Sequence, residues 1–356
     1  MAHYDLVVVA RVPQLEGAPQ LIELDRIIHN GLSYEYGFMD GNIQAGCNPS
    51  LLSESVKQRL RELDKFPCEL WLYKKGNLVA QGPITSLTFQ GQNLSIYAHG
   101  LRYYLRYMYV LSDQTFSTIE QFLIVRDLVN QWQNQAYGDF GLDTSYLTSN
   151  SSGITRTREY LREDQHNVHT RIQDLSEVIN GFDWWVDNAT REVKAAYPLK
   201  GEDKSNSIFL DRRNITSDNT SISVQKDDVA SIGLGVSSFS DDENERQTIT
   251  TERYNTDLQE SFGLAGIAQS WQDIKNVSTL DGHVDKLIAD RDKHLLSLGP
   301  SLIPVAGVTE QEFTFGDTIT YSYDYGLGNV ETTRRVLSIQ VNIDSNDNET
   351  LAVRLS

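Results

Sequence analysis

The sequence has few cysteines and no long apolar run. Only Cys47 and Cys68 are present, and neither belongs to a CxxC pair. They indicate reduced structural thiols, and they predict neither a disulfide framework nor a zinc site. The N-terminal apolar run covers only residues 6–10, and no lysine or arginine precedes it. We therefore expect neither a signal peptide nor a spanning helix, and no insertion of this chain into a membrane.

Basic residues are scarce. The 356 residues include 31 Lys and Arg against 49 Asp and Glu, which gives a formal net charge of -18. This balance argues against a protein whose main task is to grip nucleic acid through phosphate contacts. It is compatible with DNA passing nearby, because an acidic wall repels a polyanion, and surplus carboxylates also keep a protein soluble. With 39% hydrophobic residues, the chain can bury a substantial core in two or three domains.

Motifs of known catalytic sites are missing as well. No GxSxG, HExxH, Walker A or GxGxxG pattern occurs in a supporting strand-to-helix context. His166 and His169 are three apart, but no third ligand is near, so we interpret them as solvated histidines. The acidic run Asp241, Asp242, Glu243 and Glu245 lacks the spacing of a calcium loop and is typical of a solvated loop. We expect no catalytic residue, no metal and no cofactor.

The patterns that are present are mainly those of β-strands. Residues 69–99 alternate in the way that predicts a three-stranded meander, with a turn at Gly76 and Asn77 and a break near Gly82 and Pro83. Residues 317–356 repeat this order of strand, turn, long strand, turn and strand. We interpret the two stretches as related β-modules, and closure into small barrels would cover their edges.

Helical patterns lie between these modules. A helix is predicted from a capping box of Ser117 and Glu120, and a second one runs from Asn167 to a left-handed cap at Gly181. A short hairpin follows over residues 182–198, and residues 138–158 are typical of a loop. A last helix is predicted near 279–298.

These elements predict a β-rich α+β fold with two similar small β-barrel modules and an inserted helix-plus-hairpin subdomain. The predicted division is residues 1–112 for the first module, 113–200 for the insert and 201–356 for the second module, which carries the accessory helix.

One stretch is rich in both basic and aromatic residues. The sequence HGLRYYLRYMYV follows the meander and could stack nucleic-acid bases, form a protein interface, or simply pack a junction. Because the chain is so acidic, we favour a protein interface formed by Arg102, Tyr103, Tyr104, Arg106, Tyr107 and Tyr109.

The order of elements from LWLYKKGNLVAQGPITSLTF, through IQDLSEVINGFDWWVDNATREVKAAYP, to TLAVRLS resembles minor tail proteins of long-tailed siphophages. These are similar to the baseplate-hub barrel fold shared with contractile tails and type VI spikes. The resemblance implies a structural hub in the virion, at the tail tip, that assembles in the host bacterial cytoplasm. It further implies a homotrimeric ring that adapts a six-fold tail tube to a three-fold tip. Implied partners are tube and tip proteins and the terminus of the tape-measure protein, with genome DNA passing through without specific binding.

Two other functions remain open from the sequence. The first is a tail-associated cell-wall hydrolase, although 49 acidic residues make any choice of a catalytic carboxylate pair uninformative. The second is a receptor-binding or carbohydrate-binding tip protein, in which Trp185 or Trp271 would stack on sugar rings. The resemblance itself favours a non-enzymatic hub.

Overall fold

The computed structural model describes residues 4–63, 67–211, 213–215, 222–223, 229–240, 246–272, 274–292, 297–298, 303–306, 312–324 and 329–356. The chain forms two compact units, Met1–Asn219 with Leu302–Ser356, and Thr220–Ser301. Among the described residues, no helix is both long and apolar enough to span a bilayer.

The N-terminal part of the first unit is mainly β-structure. Its elements are β1 (Tyr4–Val12), β2 (Gln20–Ile27), β3 (His29–Gly37), β4 (Asn42–Cys47), α1 (Glu54–Arg61), β5 (Cys68–Lys74), β6 (Asn77–Gln90) and β7 (Asn93–His99). The predicted meander is confirmed as β5, β6 and β7. The break predicted near Pro83 is a change of partner: β6 pairs with β5 up to Pro83, then with β7 from Ile84. The left-handed turn residues are Lys75 and Gly76.

The middle of the first unit has its own core. Its elements are β8 (Gln114–Glu120), α2 (Gln121–Gln133), α3 (Ser145–Ser149), β9 (Thr155–Tyr160), α4 (Val168–Ser176), β10 (Asp183–Val186) and β11 (Val193–Ala196). Leu101, Phe122, Leu128, Ile172 and Trp184 belong to one buried cluster of this region. The predicted helices and the hairpin are therefore confirmed, and their separation as an inserted subdomain stays a prediction.

Three local predictions in this region are wrong. Ser117 lies in β8, and the helix begins only at Gln121, where the Glu120 carboxylate accepts hydrogen bonds from the first backbone N–H groups. The second helix ends at Ser176, and Asn180, not Gly181, has the left-handed backbone. Residues 138–158 contain α3 and part of β9 in addition to loop.

The rest of the chain alternates between the two units. It contains β12 (Phe209–Leu210), β13 (Ile222–Ser223), β14 (Ile232–Ser240), β15 (Arg246–Tyr254), α5 (Thr256–Phe262), β16 (Gly266–Gln272), α6 (Val277–Asp292), β17 (Ser297–Leu298), β18 (Ile303–Val305), β19 (Thr318–Asp324), β20 (Asn329–Ile343) and β21 (Glu349–Leu355). Elements β13 to β17 belong to the second unit.

Strands from both ends of the sequence share one 12-stranded sheet. Its order is β12-β19-β20-β3-β4-β7-β6-β5-β1-β2, with β21 paired to β20 and β18. Two long strands connect its parts, because β6 and β20 each pair with different partners along their length. The β-rich α+β class is confirmed. Within the described ranges the strand path is open, and the pair of barrels and the three domain boundaries stay predictions.

The second unit is a small sheet covered by a helix. Its strand order is β15-β14-β16, and α6 packs on it through buried Leu280, Val284 and Ile288. Gly233 and Gly235 allow this close approach, because a Cβ atom on either would lie within 2.5 Å of a Val284 methyl group. The predicted accessory helix is confirmed as α6. The helix ends at Asp292, and the predicted end near residue 298 is wrong because Ser297–Leu298 form β17. Residues 293–296 of that prediction lie outside the described residues, as does the acidic run 241–245.

Candidate functional site

The predicted interface residues lie on a 3-10 helix, Leu101–Tyr107, and just after it. This helix follows β7 directly, and its inner side is apolar because Leu101 and Leu105 are fully buried. The six predicted residues divide into a buried set, Arg102 and Tyr104, and a second set that reaches the surface.

Arg102 belongs to the buried set. Its guanidinium lies 3.7 Å from the centre of the Trp184 ring and donates hydrogen bonds to the Phe38 carbonyl and to Gln173 Oε1. Its Nε atom donates to Nε2 of His169 at 3.2 Å. Burial lowers the pKa of Arg102 to about 10, and the neighbouring Asp40 carboxylate opposes that shift. Arg102 therefore connects the 3-10 helix to the insert.

Tyr104 is buried on the other side of the helix. Its hydroxyl donates to Glu69 Oε1 at 2.8 Å, and its ring stacks on Phe140 at 4.8 Å between centroids. Burial and the adjacent Glu69 carboxylate raise its pKa. Tyr104 and Arg102 support the helix from inside and offer little surface to a partner.

The other four predicted residues reach the surface. His99 and Tyr103 stack at 4.2 Å with nearly parallel rings, and Tyr107 lies edge-on to Tyr103 at 5.4 Å. Tyr107 is 50% exposed and Tyr109 is 44% exposed. The hydrogen bond to Tyr103 raises the pKa of Tyr107 to about 12. Arg106 is exposed and forms an ion pair with Asp40.

Sequence reasoning missed a buried ion pair beneath this helix. Glu69 of β5 is fully buried, and its carboxylate accepts two hydrogen bonds from Arg191, at 2.8 and 3.0 Å. It also accepts from Trp71 Nε1 at 2.9 Å and from Tyr104. Burial alone would raise the pKa of Glu69, but Arg191 and these donors hold it below the usual glutamate range. A lone glutamate inside the apolar strand CELWLY was the signal that could have revealed it.

Arg191 completes this network from the tip of the β10–β11 hairpin. It donates to Gln81 Oε1 at 2.8 Å and to the carbonyls of Phe140 and Gly141 at 2.8 and 3.0 Å. On the same tip, Asn188 Oδ1 accepts from the Leu101 backbone N–H at 2.9 Å. The hairpin tip thus fixes the 3-10 helix to the large sheet.

A second junction joins the end of the insert to the C-terminal strands. Arg335 forms an ion pair with Asp183, and the Lys200 ammonium lies 3.7 Å from the centre of the Phe315 ring. Gly201 and Gly316 both have positive φ and cross in direct contact, since a Cβ atom on Gly201 would lie 2.2 Å from the Gly316 carbonyl carbon. No bulkier residue fits this crossing without displacing the backbone.

The two histidines are held by protein groups. His166 Nε2 lies 3.2 Å from Asp164, and His169 accepts from Arg102 and lies 3.8 Å from Asp40. Burial, followed by the charge of Arg102, lowers the pKa of His169 to about 4. In the part of the chain that the structure describes, no group of three or more His, Cys, Asp or Glu could hold a metal ion.

The remaining candidates are packed within the chain. The Trp185 ring lies edge-on to Phe38 and Phe315, at 6.4 and 5.7 Å. The Trp271 ring lies 5.7 Å from His283. Cys47 and Cys68 are buried thiols outside any disulfide, and burial raises the pKa of each to about 11. We therefore find no reactive cysteine in the described residues.

No protein-family model and no curated protein matches the chain. Solved structures do. The 43 kDa tail protein of prophage MuSo2 from Shewanella oneidensis aligns with a TM-score of 0.61 and 10% identity, over 99% of this chain and 98% of that one. The tail protein from Neisseria meningitidis MC58 has a TM-score of 0.55 and 13% identity, over 99% and 96%. Prophage tail protein gp18 from Listeria monocytogenes EGD-e has a TM-score of 0.55 and 12% identity, over 99% and 94%.

At these identities the likeness concerns the fold. The chain has the fold of solved phage tail proteins along nearly its whole length and along nearly the whole length of each neighbour.

Proposed function

We propose that this protein is a structural component of a phage tail, which acts as a hub at the distal end of the tail tube. The observation that carries the proposal is the end-to-end likeness to three solved tail proteins, which covers 94–98% of their chains. A fold alone does not define a function. The buried residues of the site support a structural role, since Arg102, Tyr104 and Glu69 hold elements of the chain together.

The hub forms a ring of three chains. If each chain carries two similar barrels, as predicted from the repeated strand order, three chains present six similar units to a six-fold tube and three to the tip. Matching these symmetries is the task of the protein, and it requires binding surfaces rather than catalysis. We therefore propose a non-enzymatic role.

The ring also serves as a conduit. Its partners are the tail-tube and tip proteins and the terminus of the tape-measure protein, and its place is the tail tip of the virion. With a formal charge of -18 for each chain, a ring wall repels DNA and allows passage without specific binding.

The test is the mass of the purified full-length protein in solution, measured by light scattering. We expect a trimer, either for the protein alone or after mixing with the tube-end protein of the same phage, because subunit concentration and partners shift assembly by mass action. A protein that stays monomeric in both conditions and does not join the tube protein would contradict the proposed hub.

A further inference from the structure

Three segments of the large sheet carry no charged side chain. Residues 27–34, 41–53 and 76–101 contain no Asp, Glu, Lys or Arg, although 22% of all residues are charged. The last of these runs for 26 consecutive residues. In the fold the three segments come together, because they supply most of the neighbouring strands β3, β4, β7 and β6.

These strands present one face to solvent. Directly paired residues point to the same side of a sheet, and the register places Ser33, Gln44, Tyr97 and Ser86 in one row and Ser95 and Thr88 in another. Gln44, Ser86 and Thr88 are exposed, whereas the alternate residues Ile43, Ala45 and Ile96 are buried. We call this outward side the uncharged face.

Glu35 is the single Asp, Glu, Lys or Arg side chain in these four strands, all of which the structure describes. It is buried, and it accepts hydrogen bonds from Asn42 at 3.0 Å and from Ser338 at 2.5 Å. The Glu35 carboxylate is therefore bound by groups of the same chain. The face itself presents serine, threonine, glutamine and tyrosine.

The uncharged face continues into two tyrosines of the 3-10 helix, the half-buried Tyr103 and the exposed Tyr107. The Tyr97 ring lies 5.0 Å from His99, which stacks on Tyr103, which in turn contacts Tyr107. Aromatic residues are enriched and charged residues are depleted at the centres of protein interfaces. The sheet surface, Tyr103 and Tyr107 thus form one continuous surface rich in uncharged and aromatic side chains, and the Arg106–Asp40 ion pair lies beside Tyr103.

Charge determines which partner fits. Two copies of a chain with net charge -18 repel each other, and directly opposed like charges cost several kcal/mol at an interface. Another copy can approach with little of that cost where carboxylates are few, and here the nearest ones are Glu35, which is buried and hydrogen-bonded, and Asp40, which is paired with Arg106. We propose that the uncharged face, together with Tyr103 and Tyr107, is the surface on which a second copy of this chain packs in the ring.

This assignment rests on the ring proposed above and names the surface that closes it. A cyclic trimer joins different surfaces of neighbouring copies, so the uncharged face meets another part of the next chain. That chain is acidic overall, and a new negative charge on the uncharged face should therefore be tolerated less well than a new positive one.

The experiment compares Gln44→Glu and Thr88→Glu with Gln44→Lys in the full-length protein. Light scattering over a dilution series, with the tube-end protein added if the wild type needs it, gives the concentration at which half of the chains are trimeric. We expect this concentration to rise about tenfold or more for the Glu variants and far less for Gln44→Lys. Thr250→Glu, at an exposed position of β15, is the matched control and should leave the concentration of half-assembly unchanged. Far-UV circular dichroism shows that each variant is folded.

The outcomes separate the two proposals. If the wild type forms a trimer and both Glu variants assemble like Thr250→Glu, the uncharged face is not the contact surface, while the ring stands. Equal losses for Gln44→Glu and Gln44→Lys would contradict the electrostatic argument. A wild type that never forms a trimer overturns the ring, and the assignment of this face with it.

Discussion

Removing the Arg191 side chain should strongly destabilise the first unit. Arg191→Met keeps a side chain of similar length but deletes two of the four hydrogen bonds to the buried Glu69 carboxylate. An unpaired buried charge of this kind costs about 3–5 kcal/mol. The backbone contribution stays constant, because Met and Arg pay the same penalty for the left-handed φ of 65° at this position.

The double variant Glu69→Gln, Arg191→Met provides the matched comparison. The neutral amide still offers an oxygen to Trp71 or Tyr104 but leaves no buried charge. We therefore expect it to recover about half or more of the lost free energy of unfolding, since replacing both partners of a buried pair costs less than breaking it.

Urea unfolding at pH 7, followed by tryptophan fluorescence and circular dichroism, measures both effects. The two single variants and the double variant form a cycle that isolates the coupling of the pair. A cost below about 1 kcal/mol for Arg191→Met would refute the reasoning, because the carboxylate would then be solvated or held by other groups. Additive effects of the two changes would refute it as well.

Two further predictions concern the glycine crossing and a histidine. Gly316→Ala should lower the free energy of unfolding in urea several times more than Gly91→Ala does. Both glycines have positive φ, for which an alanine pays about 1–2 kcal/mol, but only at position 316 would the new Cβ lie within 2.7 Å of a backbone oxygen. Equal losses of unfolding free energy would contradict this close contact. NMR titration should give His169 a pKa near 4. Because the pKa of His169 is lower in the folded than in the unfolded chain, its contribution to the free energy of unfolding is complete above about pH 6.5 and is lost as the pH falls towards 4. His169→Gln should therefore weaken the dependence of the unfolding free energy on pH in this range. A titration midpoint above pH 6 for His169 would contradict this prediction.

The strands were more predictable than the helix boundaries. Period-two alternation identified β5 to β7 and β19 to β21, because half-buried strands must alternate. The capping box at Ser117 failed because the segment before it pairs with β9, as in Phe116 opposite Arg158. Once residues 114–120 are committed to a strand, the helix can begin only at Gln121. Local capping signals do not report such long-range pairing.

Burial within the predicted interface could not be foreseen for a related reason. Arg102 and Tyr104 are the same residue types as their exposed neighbours Arg106 and Tyr107. The residues that contact Arg102 and Tyr104 are distant in sequence. Arg102 packs on Trp184, and Tyr104 bonds to Glu69. The sequence located the segment, whereas tertiary contacts decide which of its side chains face a partner.

The hydrogen bonds beneath the 3-10 helix decide how a variant that fails to assemble should be interpreted. The tip of the β10–β11 hairpin holds this helix to the sheet through Asn188 and Arg191, so it fixes the angle between the uncharged face and the two tyrosines of this helix. A change at Glu69 or Arg191 would therefore weaken assembly only together with folding. A change at Gln44 alters surface charge and leaves those hydrogen bonds intact. Loss of assembly at unchanged unfolding free energy can thus come only from the contact surface itself.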